Sequence, residues 1–233
     1  MANLPARPAS AAVAAFLKQV ESLPALRAGT HRPGRLIFAI DATASRQPSW
    51  DRASAVQADM FQAAAAHGGL VVQIAYYRGF GEFAATPFLA DGRELARRMS
   101  GVSCLGGRTQ IGRVLAHAEA ETAREKVAAL VFVGDAVEEE ADALCHAAGR
   151  LGMRGTPVFV FQEGRDPVAT DVLRQVARLS GGAHRALDGD SAAALREWLN
   201  AVAVFAAGGR EALARLRGEA ARALVAQLPA PPR

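Results

Sequence analysis

The chain reads as an α/β protein of three layers: a doubly wound, mostly parallel sheet between two layers of helices, with one antiparallel edge strand. Three features of the sequence predict this. Apolar runs such as Arg35–Ile40 and Val127–Val133 lack polar alternation, as strands covered on both faces of a parallel sheet do. Helix-length stretches with apolar residues three and four apart separate those runs. Gly, Pro and Asp cluster at the joins.

In chain order, Val13, Phe16, Leu17, Val20 and Leu23 recur at helical spacing, so residues 10–23 predict a short amphipathic helix. Thr30–Gly34 is a turn or linker, and Arg35–Ile40 is the first strand. A helix opens at Pro48 or Ser49 and reaches His67, closed by Gly68 and Gly69. Leu70–Tyr77, rich in Val, Ile and Tyr, is the second strand. The short turn Arg78–Gly81 makes Glu82–Leu89 an antiparallel edge strand, with which Pro87 agrees. A helix over Asp91–Met99 and a loop over Ser103–Gly107 follow, and Thr109 caps a helix running to Lys126. Then come a strand over Val127–Val133, a helix over Glu138–Leu151 and a strand over Pro157–Phe161. A helix over Pro167–Leu179, a strand over Ala183–Leu187 and a helix over Ser191–Ala206 complete a Rossmann-like alternation. Right-handed crossovers go with it. Beyond Ala207–Gly209, the stripe Leu213, Leu216, Ala220, Leu224 and Leu228 predicts one more amphipathic helix over Glu211–Leu228, docked within the chain. The expected organisation is an N-terminal helix and linker over 1–33, the α/β domain over 34–206, and a C-terminal helix with a Pro-rich end over 207–233.

With 51% hydrophobic residues, 233 residues suffice for one sizeable core. No stretch reads as a membrane span: Ala11–Leu17 is short and is followed by Lys18 and Glu21. The same charges favour an amphipathic helix over a signal peptide. Cys104 and Cys145 have neither ligand spacing nor a disulfide framework. They read as small buried apolar residues of a cytoplasmic, reducing compartment. The net charge of +4 is carried by arginine, since Lys18 and Lys126 are the only lysines among 27 basic residues. The basic residues are dispersed among acids rather than clustered with aromatics, which argues against nucleic acid as a partner. The C-terminal Arg210, Arg215, Arg217 and Arg222 come nearest to a basic patch.

Five oxygen-bearing residues carry the chemistry. Asp41, Thr43 and Ser45 form D-x-T-x-S directly after the first strand. Thr109 lies in Gly106-Gly-Arg-Thr-Gln-Ile-Gly112, and Asp135 ends the run Leu130–Asp135. Singly, Asp41, Thr109 and Asp135 are ordinary helix caps. Together they suggest more, because open parallel sheets bind ligands beyond the carboxyl ends of strands where chain order reverses. If the first strand is central, Asp41 and Asp135 leave neighbouring strands roughly 4.8 Å apart. Carboxylates that close repel unless a cation lies between them or one takes a proton. Thr43 and Ser45 can turn their hydroxyls inward, and Gly106-Gly107 lets the Thr109 loop approach closely. Two carboxylates and three hydroxyls, with no His or Cys, favour Mg²⁺, with Mn²⁺ acceptable, over Zn²⁺. Mg²⁺ keeps waters, so one position stays exchangeable for an Asp or Glu of another protein. Asp41 itself is expected in an exposed loop.

The D-x-T-x-S string, the Gly-Gly-Arg-Thr-Gln-Ile-Gly loop and the Phe-Val-Gly-Asp strand end, in this order, resemble the von Willebrand factor type A (VWA) domain from Arg35 to Ala206. That family's metal-ion-dependent adhesion site (MIDAS) uses D-x-S-x-S, a later Thr and a later Asp. The resemblance implies Asp41, Thr43, Ser45, Thr109 and Asp135 as ligands, directly or through water. Thr43 keeps the hydroxyl of the usual Ser. Gly134-Asp135-Ala136 stands where Thr-Asp-Gly is usual, which keeps the carboxylate and changes its surroundings. A protein-binding module rather than an enzyme is implied, of the bacterial type that works beside a ring ATPase or as an assembly factor.

Two alternatives stand beside it. Asp41-x-Thr43 and Gly134-Asp135-x-x-Glu138 also resemble parts of HAD-like Mg²⁺-dependent phosphatases. Such an enzyme needs a general acid where Thr43 stands, and its lysine would be Lys126, at the wrong end of a strand. A metal-free structural scaffold of the same fold is the other alternative. Neither a G-x-G-x-x-G string after the first strand nor a P-loop is present. Glu138, Glu139 and Glu140 are expected to favour the positive end of the helix that follows them. His67, His117, His146 and His184 lack metal spacing and read as surface or capping residues. Tyr76, Tyr77 and Phe80 read as packing, Trp50 and Arg46 follow Asp41 in its loop, and Arg108 could steer an acidic partner.

Overall fold

A computed structural model describes residues 32–43, 57–187 and 192–230. The expected N-terminal helix, the start of the helix at Pro48 or Ser49, and Ser45, Arg46 and Trp50 lie outside the described residues.

Six strands form one sheet: β1 (Gly34–Asp41), β2 (Leu70–Arg78), β3 (Glu82–Ala85), β4 (Ala129–Gly134), β5 (Val158–Glu163) and β6 (Ala183–Leu187). Their order across the sheet is β3-β2-β1-β4-β5-β6. Every neighbouring pair is parallel except β2 and β3. Chain order therefore reverses between β1 and β4, the position where such sheets bind ligands. One face is covered by α1 (Gln57–Ala65), α2 (Gly92–Ser100), α6 (Ala192–Arg215) and α7 (Glu219–Gln227). The other is covered by α3 (Ile111–Arg124), α4 (Ala141–Met153) and α5 (Pro167–Leu179). β1 explains the unbroken apolar run. Leu36, Phe38 and Ile40 enter one core and Ile37 and Ala39 the other, all fully buried.

Several expectations need correction. Thr109 does not cap α3; Gln110 precedes the helix and makes no side-chain cap bond. The single helix expected over Glu211–Leu228 is two pieces. Gly209, with φ of 71°, breaks α6, which ends at Arg215, and Gly218 opens α7. Both glycines take a positive φ that other residues rarely adopt. Cys104 and Cys145 are half-buried rather than buried. His117 and His184 are not surface caps. Their Nε2 atoms are hydrogen-bonded to Gln73 Oε1 at 2.7 Å and Gln162 Oε1 at 2.8 Å, beside the sheet.

α7 docks within the chain: Ala220, Leu224 and Leu228 share a core with Leu195, Trp198 and Leu213. Arg210 donates to Val225 O at 3.2 Å, Leu228 O at 3.1 Å and Pro229 O at 2.7 Å. It thus serves the end of α7 rather than a polyanion. The backbone N–H of His184 donates to Gln227 Oε1 at 3.0 Å, so α7 also reaches β6. Among the described residues, no helix is long and apolar enough to cross a membrane.

Burial, with the charge of Arg174 adding to it, pushes the His184 pKa down from 6.5 to about 4. The fold favours the neutral ring. Its contribution to stability is full above the unfolded value of 6.5 and is lost as pH falls toward the folded value of about 4. His117, lowered by burial as well, acts in the same direction. Melting temperatures measured between pH 6.5 and 4 should therefore fall, and His184→Gln should make that fall shallower.

Candidate functional site

Asp41 is the last residue of β1 and is 1% exposed, so it does not lie in an exposed loop. The backbone N–H of Thr43 donates to Asp41 Oδ1 at 2.8 Å, closing a tight turn after the strand. Asp41 Oδ2 is buried without a hydrogen-bond partner. In the β1–β4 ladder, Ile40 pairs with Val133, so Asp135 leaves the neighbouring strand just past Asp41. Burial raises the Asp41 pKa above its ordinary value, and the Asp135 charge pushes the same way; hydrogen bonds from Thr43 and, more weakly, the nearby Tyr77 hydroxyl oppose them.

Tyr77 faces Asp41 from the other side, since the two are register partners in the β1–β2 ladder. Its hydroxyl is buried and makes no hydrogen bond of good geometry, yet it feels the charges of Asp41, Glu139 and Asp135. Burial first, and those charges second, push the phenol well above its usual pKa. The charges of three carboxylates therefore bear on one buried hydroxyl. Sequence patterning treats Tyr77 as packing; only the parallel register of β1 and β2 brings it to Asp41.

The loop before α3 forms the third side. Leu105 N–H donates to Ala42 O at 3.0 Å, and Arg108 N–H to Gly79 O at 3.1 Å. Gly107 is the glycine that permits this, because a Cβ there would lie 1.9 Å from Gly79 O; Gly106 has open space around it. Gly107→Ala should therefore shift this loop. Amide chemical-shift changes are expected at Leu105–Thr109 and at Gly79, while the α6 and α7 amides stay in place.

Thr109 and Glu138 bridge the loops reciprocally. Thr109 N–H donates to Glu138 Oε2 at 2.9 Å, and Glu138 N–H donates to Thr109 Oγ1 at 3.0 Å. Thr109 is thereby tied to Glu138, which follows Asp135 by three residues. Glu139 accepts from Ile111 N–H at 2.6 Å and Gly112 N–H at 2.8 Å, capping α3 from the β4–α4 loop. Glu138 and Glu139 thus serve the Thr109 loop and the start of α3 rather than the helix after them, whereas Glu140 stands at the N-cap of α4 without a side-chain cap bond. A carboxylate on two amides at a helix N-terminus is a strong cap. Glu139→Ala should cost roughly 1–2 kcal/mol in urea unfolding, and Glu139→Gln, which keeps an acceptor, less.

Asp41, Thr43 and Asp135 therefore come together, Thr109 is tied to the loop that follows Asp135, and Ser45 lies outside the described residues. Among the described residues, no group of three or more His, Cys, Asp or Glu forms a metal-binding cluster. Any cation held here by these residues must take hydroxyl or main-chain oxygens beside the two carboxylates. The buried Oδ2 of Asp41 fits such an ion.

No protein-family model matches the sequence, and no curated protein matches it. Solved structures do. The SpRpn10 VWA domain matches with a TM-score of 0.57 at 9% identity, over 70% of this chain and 93% of that one. Proximal thread matrix protein 1 from the mussel byssus, with a zinc-occupied MIDAS motif, gives 0.56 at 14% identity, over 74% of this chain and 46% of that one. Manganese-loaded TRAP from Plasmodium vivax gives 0.50 at 14% identity, over 70% and 72%. Likeness at such identities concerns the fold, and the fold of this chain is VWA-like.

Proposed function

We propose that the carboxyl end of the sheet binds a divalent cation, Mg²⁺ before Mn²⁺, through Asp41, Thr43, Ser45, Thr109 and Asp135. The bound cation then recognises an Asp or Glu side chain of a partner protein. One observation supports this above the others: the buried Asp41 carboxylate keeps an oxygen without a hydrogen-bond partner, with Asp135 close by. A buried acceptor left so costs roughly 1–3 kcal/mol, and more when charged; a cation between the two acids relieves both penalties. The Thr109 hydroxyl accepts one hydrogen bond from Glu138 and retains a lone pair. Ser45 enters through the D-x-T-x-S motif alone.

The zinc and manganese of the matched structures belong to those proteins. They support a site open to several divalent ions, so Zn²⁺ belongs in the test as a competitor. Titration calorimetry of the chelator-stripped protein should show saturable, one-to-one Mg²⁺ binding. A flat titration with all three metals sinks the proposal. Pull-downs with and without chelator then identify the acidic partner. A ring ATPase or an assembly factor is the class implied by the VWA resemblance, in a cytoplasm where the thiols Cys104 and Cys145 stay reduced.

The phosphatase alternative gains no support. Lys126 precedes β4, at the end opposite Asp135, and its Nζ donates to Arg154 O at 2.6 Å and to Gly155 O. We read the protein as a binding module, not an enzyme.

A further inference from the structure

A second concave site lies at the β6 edge of the sheet, three strands from β1. A cavity of about 640 Å³ there is lined by Arg174, Arg178, His184, Arg185, Trp198 and Gln227 among other residues. That volume falls within the roughly 300–1,000 Å³ of small-molecule sites. The lining contains three arginines and no Asp or Glu. Several arginines elsewhere are engaged: Arg35 with Glu121, Arg98 with Glu94, Arg150 with Glu119, Arg196 with Asp59, and Arg210 with the end of α7. Among the described residues, the guanidinium groups of Arg174, Arg178 and Arg185 meet no carboxylate and make no hydrogen bond. Arg185 instead lies over the Trp198 ring, 5.0 Å from its centroid, which fixes its plane beside the cavity.

Arg174 and Arg178 stand one turn apart on α5, a spacing at which like charges repel. The positive charge of Arg174 is felt at His184, which is kept neutral and adds no competing cation at ordinary pH. Three uncompensated guanidinium groups around one concavity therefore form a field that only an anion relieves. The planar fork of arginine takes phosphate oxygens two at a time.

We propose that this cavity binds a small soluble anion carrying two or more phosphate groups. Its size suits a metabolite, and three guanidinium groups hold a polyanion better than a single phosphate. The site is separate from the candidate metal centre, so the test is run in chelator, where metal binding is silent. Inorganic pyrophosphate is titrated calorimetrically into the full chain at low salt. Saturable one-to-one binding is expected. In the double variant Arg174→Ala/Arg178→Ala, affinity should fall about tenfold or more, as loss of two charge-assisted contacts requires. Both side chains are exposed on α5, so far-UV dichroism should not change. Arg93→Ala, an exposed arginine on α2, should leave the affinity as it was. Absence of saturable binding overturns the proposal. So does an affinity unchanged in the double variant, or one reduced equally by Arg93→Ala.

Discussion

Asp41→Asn should raise the melting temperature of the metal-free protein and abolish its stabilisation by Mg²⁺. Asp41 is a buried carboxylate with an oxygen lacking a partner, placed beside Asp135. Its folded pKa is raised, so the fold favours the protonated form. As pH climbs from the unfolded value through the folded one, ionisation works against the metal-free fold. Asparagine has nearly the same shape and carries no charge. Removing the penalty is worth roughly 1–3 kcal/mol, at about 2–4 °C for each kcal/mol in a domain of this size. With Mg²⁺ at a hundred times its dissociation constant, the natural protein instead gains about 2.7 kcal/mol that the variant cannot. The order of stabilities should thus invert between chelator and saturating Mg²⁺. Differential scanning calorimetry in the two buffers checks it. A natural protein that melts above the variant in chelator, with equal Mg²⁺ responses, would falsify the metal site.

Leu224→Ala should destabilise the whole fold by roughly 2–5 kcal/mol, a fall on the order of 10 °C in melting temperature. Leu224 is 1% exposed and lies in one core with Leu195, Trp198, Leu199 and Leu213. If the segment 207–233 were an appendage with its own packing, the same change would cost within about 0.5 kcal/mol, like an ordinary surface substitution. A single cooperative transition, shifted as a unit, is the expected result. A separate early transition with the main one unmoved would contradict it.

What was legible in the sequence was local. β1 is recognisable because both its faces are buried, which leaves no polar position to break the run from Leu36 to Ile40. The bounds of α5 and β6 could be read because Asp166 accepts from Ala169 N–H before the helix and Gly181 closes it. The VWA resemblance rested on residues at strand ends, and the matched structures agree with the frame that carries them. What escaped the sequence was long-range. Glu139 caps a helix that begins 28 residues before it, and Thr109 pairs with Glu138 across 29. Local patterning assigns such groups to the nearest helix. Tyr77 needs the β1–β2 register, fixed where Gly34 meets Leu70 at the far end of the ladder. The break within the expected C-terminal helix did leave a signal, in Gly218, which the apolar stripe from Leu213 to Leu228 masked.

β6 ends the sheet on one side, and an outermost strand is where a neighbouring chain can add its own. The amide of His184 is taken by Gln227 from α7. Shortening the chain before Gly218 would leave that amide unsatisfied, and self-association through a newly sticky rim should follow.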